Sequence, residues 1–142
     1  MAISFQNQSI KFKLNEKVKI KKWLSLLVKK QNHQLGELNF VFTNDEELLK
    51  YNQNYLQHNT LTDIITFQNS ESNLIQGDII ISIERVTENA KLFQVDLESE
   101  LKRVLAHGVL HLLGYDDKSK KAKEEMRKQE DLALKLFEKM TI

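Results

Sequence analysis

The sequence predicts an α+β fold, a single small domain in which a mixed sheet of about four strands is packed by helices. Two observations carry this prediction. The segments with the apolar pattern of strands all fall in the first 83 residues, and from Glu84 onward the apolar residues recur at helical spacing. Strands early and helices late are typical of a sheet covered on one side by helices. The 142 residues include no proline, repeat or linker-like stretch, which favours one domain over residues 1–142.

Four segments carry the strand pattern. Apolar and polar residues alternate in the first two, and β-branched residues are concentrated in the last two. The turn-forming residues QNSESN separate the third from the fourth. The predicted strands cover residues 9–14, 38–42, 62–67 and 75–83.

Helices account for most of the remaining chain. Asn44 is predicted to cap the second helix, with Glu47 three residues on completing a capping box. The tryptophan of the first helix, Trp23, is expected in the core. The predicted helices cover residues 18–28, 45–55, 83–92, 97–113 and 118–140.

Composition limits the kinds of site that the chain can build. It contains no cysteine, so any zinc ion must be held by histidine and carboxylate. No apolar run is long enough for a membrane span and no secretory signal is recognisable, so we expect a cytoplasmic protein without a membrane partner. Eight lysines in residues 1–30, and a second basic cluster over residues 118–128, form either solvated helix faces or contacts to phosphates.

The segment LAHGVLHLLGYDD, residues 105–117, contains the candidate site. His107 and His111 are four residues apart, so a helix places both imidazoles on one face, as in zinc hydrolases. Gly114 then suits a left-handed helix end, after which Asp117, or its neighbour Asp116, can return toward the two rings. Two histidines, one acid and an open position are typical of catalytic zinc, whereas the alternative is a packed helix that merely carries histidines.

The same segment resembles a family signature. HGVLHLLGYDD is similar to the HGxLHLxGYDH signature of the YbeY family of bacterial metal-dependent endoribonucleases. It differs from the signature only at the last residue. TDIITF resembles the family's TDVLSF strand, and GDIIIS resembles its GDI-IS strand. The resemblance implies a four-stranded α+β domain with one Zn²⁺, or another divalent ion, on His107, His111 and Asp117. That ion would contact a scissile phosphate of single-stranded RNA.

The sequence departs from the family pattern at the ligand set and at two further positions. Asp117 replaces the third histidine, which should weaken the ion as a Lewis acid and shift preference toward harder ions such as manganese. Leu56 stands where the family has an arginine, and leucine does not bind phosphate. His58 takes the place of a lysine and is a candidate phosphate contact when protonated.

The resemblance also implies a substrate and partners. These are ribosomal RNA, in maturation of the small-subunit 3′ end and in ribosome quality control, and either the small subunit or an assembly factor that delivers the RNA. Two alternatives remain. The ligand spacing also fits metzincin proteases, but Gly108 stands where those proteases have their glutamate base. A metal-stabilised assembly factor without cleavage activity is the other alternative.

Three further acidic residues have open roles. Asp63 and Asp78 each either line the cleft or serve helix capping or backbone hydrogen bonding. Asp116, unless it is itself the third ligand, shapes the turn or orients an imidazole.

Overall fold

The computed structural model describes residues 3–55, 62–68 and 73–140. The elements within these ranges are β1 (Ile3–Asn7), α1 (Lys17–Lys30), β2 (Gln34–Thr43), α2 (Asp45–Tyr55), β3 (Ile64–Gln68), β4 (Leu74–Ser82), α3 (Ile83–Phe93), α4 (Leu97–Leu112) and α5 (Lys120–Lys139). None of these helices is long and apolar enough to cross a membrane.

The four strands form one mixed sheet in the order β1-β2-β4-β3. β2 pairs in parallel with both β1 and β4, and β3 runs antiparallel to β4. The predicted α+β class and four-stranded mixed sheet are therefore confirmed. β3 is an edge strand, and it forms one wall of the candidate site described below.

Helices cover both faces of this sheet, whereas the sequence predicted helices on one side. Phe40 and Phe42 of β2 belong to the large core that α1, α3, α4 and α5 share. Val41, between them, belongs to a smaller cluster with Leu48 of α2. Uninterrupted apolar stretches in β2 and β4 already indicate strands that are buried on both faces, because a strand with one wet face alternates.

The first predicted strand is wrong. Residues 9–14 form no strand, and the edge strand is β1. Ser9 has a positive φ of 63°, which ends the extended backbone after Asn7. Leu14 is nevertheless buried, and Ile10 and Phe12 pack against the large core. Their alternation therefore reflects burial of one side of an irregular segment, which periodicity alone does not separate from a strand.

Side-chain caps fix where the helices begin. The Asn44 side chain accepts a hydrogen bond from the Glu47 backbone N–H at 2.9 Å, as predicted for α2. Asp96 caps α4 through the Ser99 N–H at 2.7 Å, and Ser119 caps α5 through the Ala122 N–H at 3.0 Å. The caps of α4 and α5 set the start of the two helices that carry the candidate site.

Gly108 allows α4 to lie directly on the sheet. A Cβ at this position would be 3.0 Å from the Ile64 Cδ1 and 3.2 Å from two atoms of the Ile79 side chain. These distances are tighter than ordinary van der Waals contact. The close approach brings the C-terminal half of α4 beside β3, where the two histidines meet the end of the sheet.

Gly77 is required by a different contact, and its substitution gives a test of the sheet. A Cβ at position 77 would collide with the Phe67 carbonyl oxygen of β3, and a backbone atom cannot swing away. We predict that Gly77→Ala lowers the free energy of unfolding by about 2–4 kcal/mol. Thermal or urea unfolding measures this.

Gly114→Ala is the matched control for Gly77→Ala. Gly114 also has a positive φ, 108°, but no atom lies within 4 Å of where its Cβ would be. Backbone strain alone should cost about 1–2 kcal/mol there. A Gly77→Ala protein as stable as Gly114→Ala would contradict the β3–β4 register.

Candidate functional site

A cleft of about 710 Å³ opens between α4, β3 and α5, and the candidate ligands His107, His111 and Asp117 line it. One wall is β3 with the residues before it, and another is one face of α4. The loop after α4 and the first half of α5 close the third side. The lining residues are Asn52, Thr62, Asp63, Ile64, Ile65, Thr66, Phe93, Glu100, Arg103, Val104, His107, His111, Asp117, Lys118, Arg127 and Glu130.

One face of α4 supplies most of the polar side chains. Glu100, Arg103, His107 and His111 follow one another at intervals of three or four residues, which places them in a row along a helix. The opposite face is apolar and packs on the sheet. The predicted pairing of the two histidines on one helix face is therefore what α4 presents to the cleft.

The end of α4 orients His111. Gly114 donates its N–H to the His111 carbonyl and Tyr115 donates to the Leu110 carbonyl, each at 3.1 Å. This pattern is a Schellman motif, which requires the positive φ that glycine adopts at position 114. The turn points the Tyr115 carbonyl back along the helix, where it accepts a hydrogen bond from His111 Nδ1 at 3.1 Å. His111 Nε2 is thereby left as the acceptor nitrogen of the neutral ring.

His107 is oriented by a carboxylate on α5. Its Nδ1 donates to Glu130 Oε2 at 2.7 Å, and its Nε2 lies 3.5 Å from Asp117 Oδ2. Arg103 donates to the other Glu130 oxygen at 3.0 Å, and the Arg127 guanidinium lies 3.9 Å from it. Glu130 is buried, and its two carboxylate oxygens are shared between an imidazole and these guanidinium groups. A buried carboxylate is stable only with such partners.

The electrostatic environment shifts the pKa of three cleft residues. Burial lowers the pKa of His107, but the hydrogen bond and charge of Glu130, with nearby Asp117, outweigh it and leave the pKa raised. Burial raises the pKa of the Asp63 carboxyl, although the neighbouring His107 opposes this. Burial, with the charge of Asp63, also raises the pKa of Glu100. Burial therefore reduces the solvation of these cleft residues, and their charges shift one another's pKa values.

The geometry of the candidate ligands is open. The rings of His107 and His111 lie nearly parallel, with planes 11° apart and centroids separated by 6.1 Å. Over residues 3–55, 62–68 and 73–140, no three His, Cys, Asp or Glu side chains are grouped closely enough to hold an ion. The donor atoms themselves suit a divalent cation, because each Nδ1 is engaged with an oxygen, which leaves each Nε2 to bind an ion once the ring is neutral. His111 and Asp117 would have to move for the three side chains to meet at one ion.

The structure separates the two neighbouring aspartates. Asp117 lines the cleft, whereas exposed Asp116 accepts the Lys118 backbone N–H at 3.2 Å and shapes the turn. Asp63 lines the cleft as well. Asp78 instead accepts a hydrogen bond from Asn39 at 3.0 Å on the neighbouring strand.

The remaining predictions concern positions 56 and 58 and the two basic clusters. His58 and Leu56 lie outside the described residues. Of the basic clusters, Lys118 and Arg127 line the cleft, whereas the lysines of α1 do not.

Sequence reasoning missed Glu130, Glu100 and Arg103. A signal for Glu130 was present, because it falls at helical spacing between Met126 and Ala133 on the buried side of α5. An acid in the apolar stripe of an amphipathic helix is unusual unless it has a buried partner.

Comparisons with known proteins show the family of this chain. Residues 2–138 match the family described as Endoribonuclease YbeY. The chain belongs to the YbeY family. Among curated members, the Endoribonuclease YbeY of Flavobacterium psychrophilum is 50% identical over 135 residues, which cover 95% of this chain and 96% of the relative. That of Cytophaga hutchinsonii is 47% identical over 135 residues, or 94% of each chain. The resemblance recognised in the sequence, and with it membership of an endoribonuclease family, is confirmed.

A solved structure supports the fold of this YbeY family member. The solution structure of a structural-genomics target from Thermotoga maritima superposes with a TM-score of 0.67 at 27% identity. The superposition covers 95% of this chain and 88% of the other. The mixed sheet and the helices that position the cleft are therefore shared with an experimentally determined protein.

The role of Glu130 can be tested by titration of the metal-free protein. Glu130→Gln removes the negative charge that raises the His107 pKa. Burial, which lowers that pKa, is then opposed less strongly. We predict that the His107 pKa falls, as followed by NMR in the presence of a chelator. Asp131→Asn is the control, because the half-exposed Asp131 carboxylate also contacts Arg103, at 2.9 Å, but is not among the main charges that raise the His107 pKa. An unchanged His107 pKa in Glu130→Gln would contradict the assignment.

Proposed function

We propose that this chain is a single-strand-specific, metal-dependent endoribonuclease that acts in the cytoplasm on ribosomal RNA. Family membership supports the endoribonuclease activity. One observation carries the metal dependence: both imidazoles of the α4 pair donate Nδ1 to an oxygen, which leaves both Nε2 atoms for a cation. Asp117 supplies a carboxylate within 3.5 Å of one of them.

The proposed ligands are His107, His111 and Asp117, and the proposed ion is one Zn²⁺ per chain. Two histidines and a carboxylate with one open position are a known catalytic set for zinc. A divalent ion held there would stabilise negative charge on a phosphoryl oxygen and lower the pKa of bound water. Glu130 and the Tyr115 carbonyl keep the Nδ1 protons of the two rings fixed, so neither ring has to change tautomer to bind.

The charge of the cleft favours the same interpretation. Four carboxylates line it, from Asp63, Glu100, Asp117 and Glu130, against three permanent cations, from Arg103, Lys118 and Arg127. With all four ionised this balance repels a phosphate, and a divalent ion would reverse its sign. Lys118 and Arg127 stand at the rim, where they can attract the flanking phosphates of a strand.

The ribosomal substrate rests on the family resemblance. We propose the maturation of the 3′ end of small-subunit RNA and ribosome quality control as the processes, and the small subunit or an assembly factor as the partner. The near-neutral formal charge of +1 supports a partner that delivers the RNA, because strong independent RNA binding needs a larger positive excess.

The ligand set predicts which residues control metal content. Protein purified without a metal-affinity tag should contain about one zinc per chain by mass spectrometry. His107→Ala and Asp117→Ala should lose affinity by more than the roughly 10- to 100-fold that removal of an outer partner causes. Asp116→Ala is the matched control and should retain the metal, because Asp116 faces the Lys118 backbone. Metal loss in Asp116→Ala but not in Asp117→Ala would reverse the assignment of the third ligand.

Cleavage assays distinguish the proposed enzyme from its alternatives. Zinc-loaded protein should cut single-stranded RNA faster than a duplex of the same sequence. His107→Ala or a chelator should reduce the rate by at least about 100-fold, since the ion supplies several kcal/mol of transition-state stabilisation. Casein should remain intact. A metal-loaded protein that binds ribosomal particles but cuts no faster than His107→Ala would instead be an assembly factor without cleavage activity.

A further inference from the structure

Phe93 is an exposed aromatic residue on the wall of the cleft. It is the last residue of α3, and its side chain is 55% exposed. Gln94 then adopts a left-handed conformation and donates its N–H to the Ala90 and Lys91 carbonyls, which ends the helix there. Within the described ranges no aromatic ring or cation packs on the Phe93 ring. Exposure of a large apolar ring to water at the edge of a polar cleft is unfavourable, and a ligand that covers the ring would remove that cost.

The surroundings of Phe93 match the requirements of single-stranded nucleic acid. Such strands are bound by aromatic rings on which bases stack, combined with cations that follow the phosphates. Lys118 and Arg127 line the same cleft as Phe93 and supply those cations. Leu92 and Val95, the exposed apolar neighbours of Phe93, do not line the cleft. Of these three exposed apolar residues, Phe93 is therefore the one that faces it.

The position of Phe93 along the cleft sets the nucleotide that it would contact. Phe93 precedes the start of α4 at Leu97 by four residues and lines the cleft together with Glu100 of the first turn of α4, which places it near the N-terminal end of that helix. Glu100 of that end precedes His107 by seven residues, or about 10 Å along the helix axis. A base stacked at Phe93 would therefore flank the scissile phosphate and not belong to the nucleotide beside the ligands.

We infer that Phe93 is a stacking platform for an unpaired RNA base that lies beside the cleavage site. The inference rests on the proposed ribonuclease function and adds a specificity residue to it. A base inside a duplex is already stacked on both faces and has no face to offer the ring. Phe93 thus gives a physical reason for a preference for single strands.

The test measures the binding of a single-stranded RNA oligonucleotide to the metal-loaded chain, with 2′-O-methyl phosphorothioate linkages in the strand so that it is not cleaved during the measurement. F93A should weaken binding by about 5- to 100-fold, the range expected for the loss of one base stack. F93W should bind within about 3-fold of wild type, because it preserves an aromatic face. L92A is the matched control and should change nothing, since Leu92 is an adjacent apolar residue, 74% exposed, outside the cleft.

Fluorescence of F93W supplies a readout that a merely structural role would not change. The native tryptophan, Trp23, is fully buried and donates to the Ala133 carbonyl at 2.8 Å, so its emission should not respond to RNA. The indole introduced by F93W should be quenched by the oligonucleotide but not by an abasic strand of the same length. Thermal unfolding of each variant checks that the fold is retained.

The possible results separate the two proposals. F93A binding like wild type, an equal loss in L92A, or F93W emission that ignores RNA would each overturn the stacking role. If wild type still cleaves RNA in that case, the ribonuclease proposal stands without it. If wild type neither binds nor cleaves RNA, both proposals fail.

Discussion

The hydrogen bond from His107 to Glu130 joins the two helices on which the candidate site depends. A carboxylate buried on α5 would be costly alone, and its partners are the imidazole and guanidinium groups that face the cleft. Packing of α4 on α5 therefore also fixes the protonation pattern of His107. The stability of the interface and the readiness of the imidazole for a cation come from one set of contacts.

His111 is oriented with the same nitrogen engaged, but through a contact close to it in sequence. Its Nδ1 donates to a carbonyl only four residues away, which the glycine turn after α4 places within reach. One ring of the pair is thus held by tertiary packing and the other by helix-end geometry. This division explains why a short sequence motif contains the whole environment of His111 but only part of that of His107.

The same division accounts for what the sequence could predict. The histidine pair, the glycine turn and Asp117 lie within eleven residues, so helix geometry and residue chemistry were enough to single them out. Glu130 approaches the site from a helix whose acids mostly face solvent, and only its place in the apolar stripe marks it. The contribution of Asp63 was open for a related reason, because it depends on how β3 pairs with β4 rather than on its own neighbours in sequence.

The fold followed from the sequence wherever a pattern had one physical explanation. Helices with a recognisable capping residue, such as α2, were predicted to within a residue or two. The N-terminal segment had two explanations, since Phe5 and Phe12 both alternate with polar neighbours, and Phe5 alone is on a paired strand. Tertiary pairing decided between them. The apolar run around Val41 required a helix on the second face of the sheet.

Gly108 has a consequence for the chemistry that this framework can acquire. The position after the first histidine faces Ile64 and Ile79 in the interior, where even a methyl group is crowded. A glutamate there would be an unpaired buried charge, and its carboxylate would point away from the histidines. In a zinc protease the glutamate at that position is the general base and has to act beside the metal. Because α4 packs on the sheet through Gly108, a single substitution there would not supply the base of a zinc protease. Gaining that base would require a different orientation of the helix.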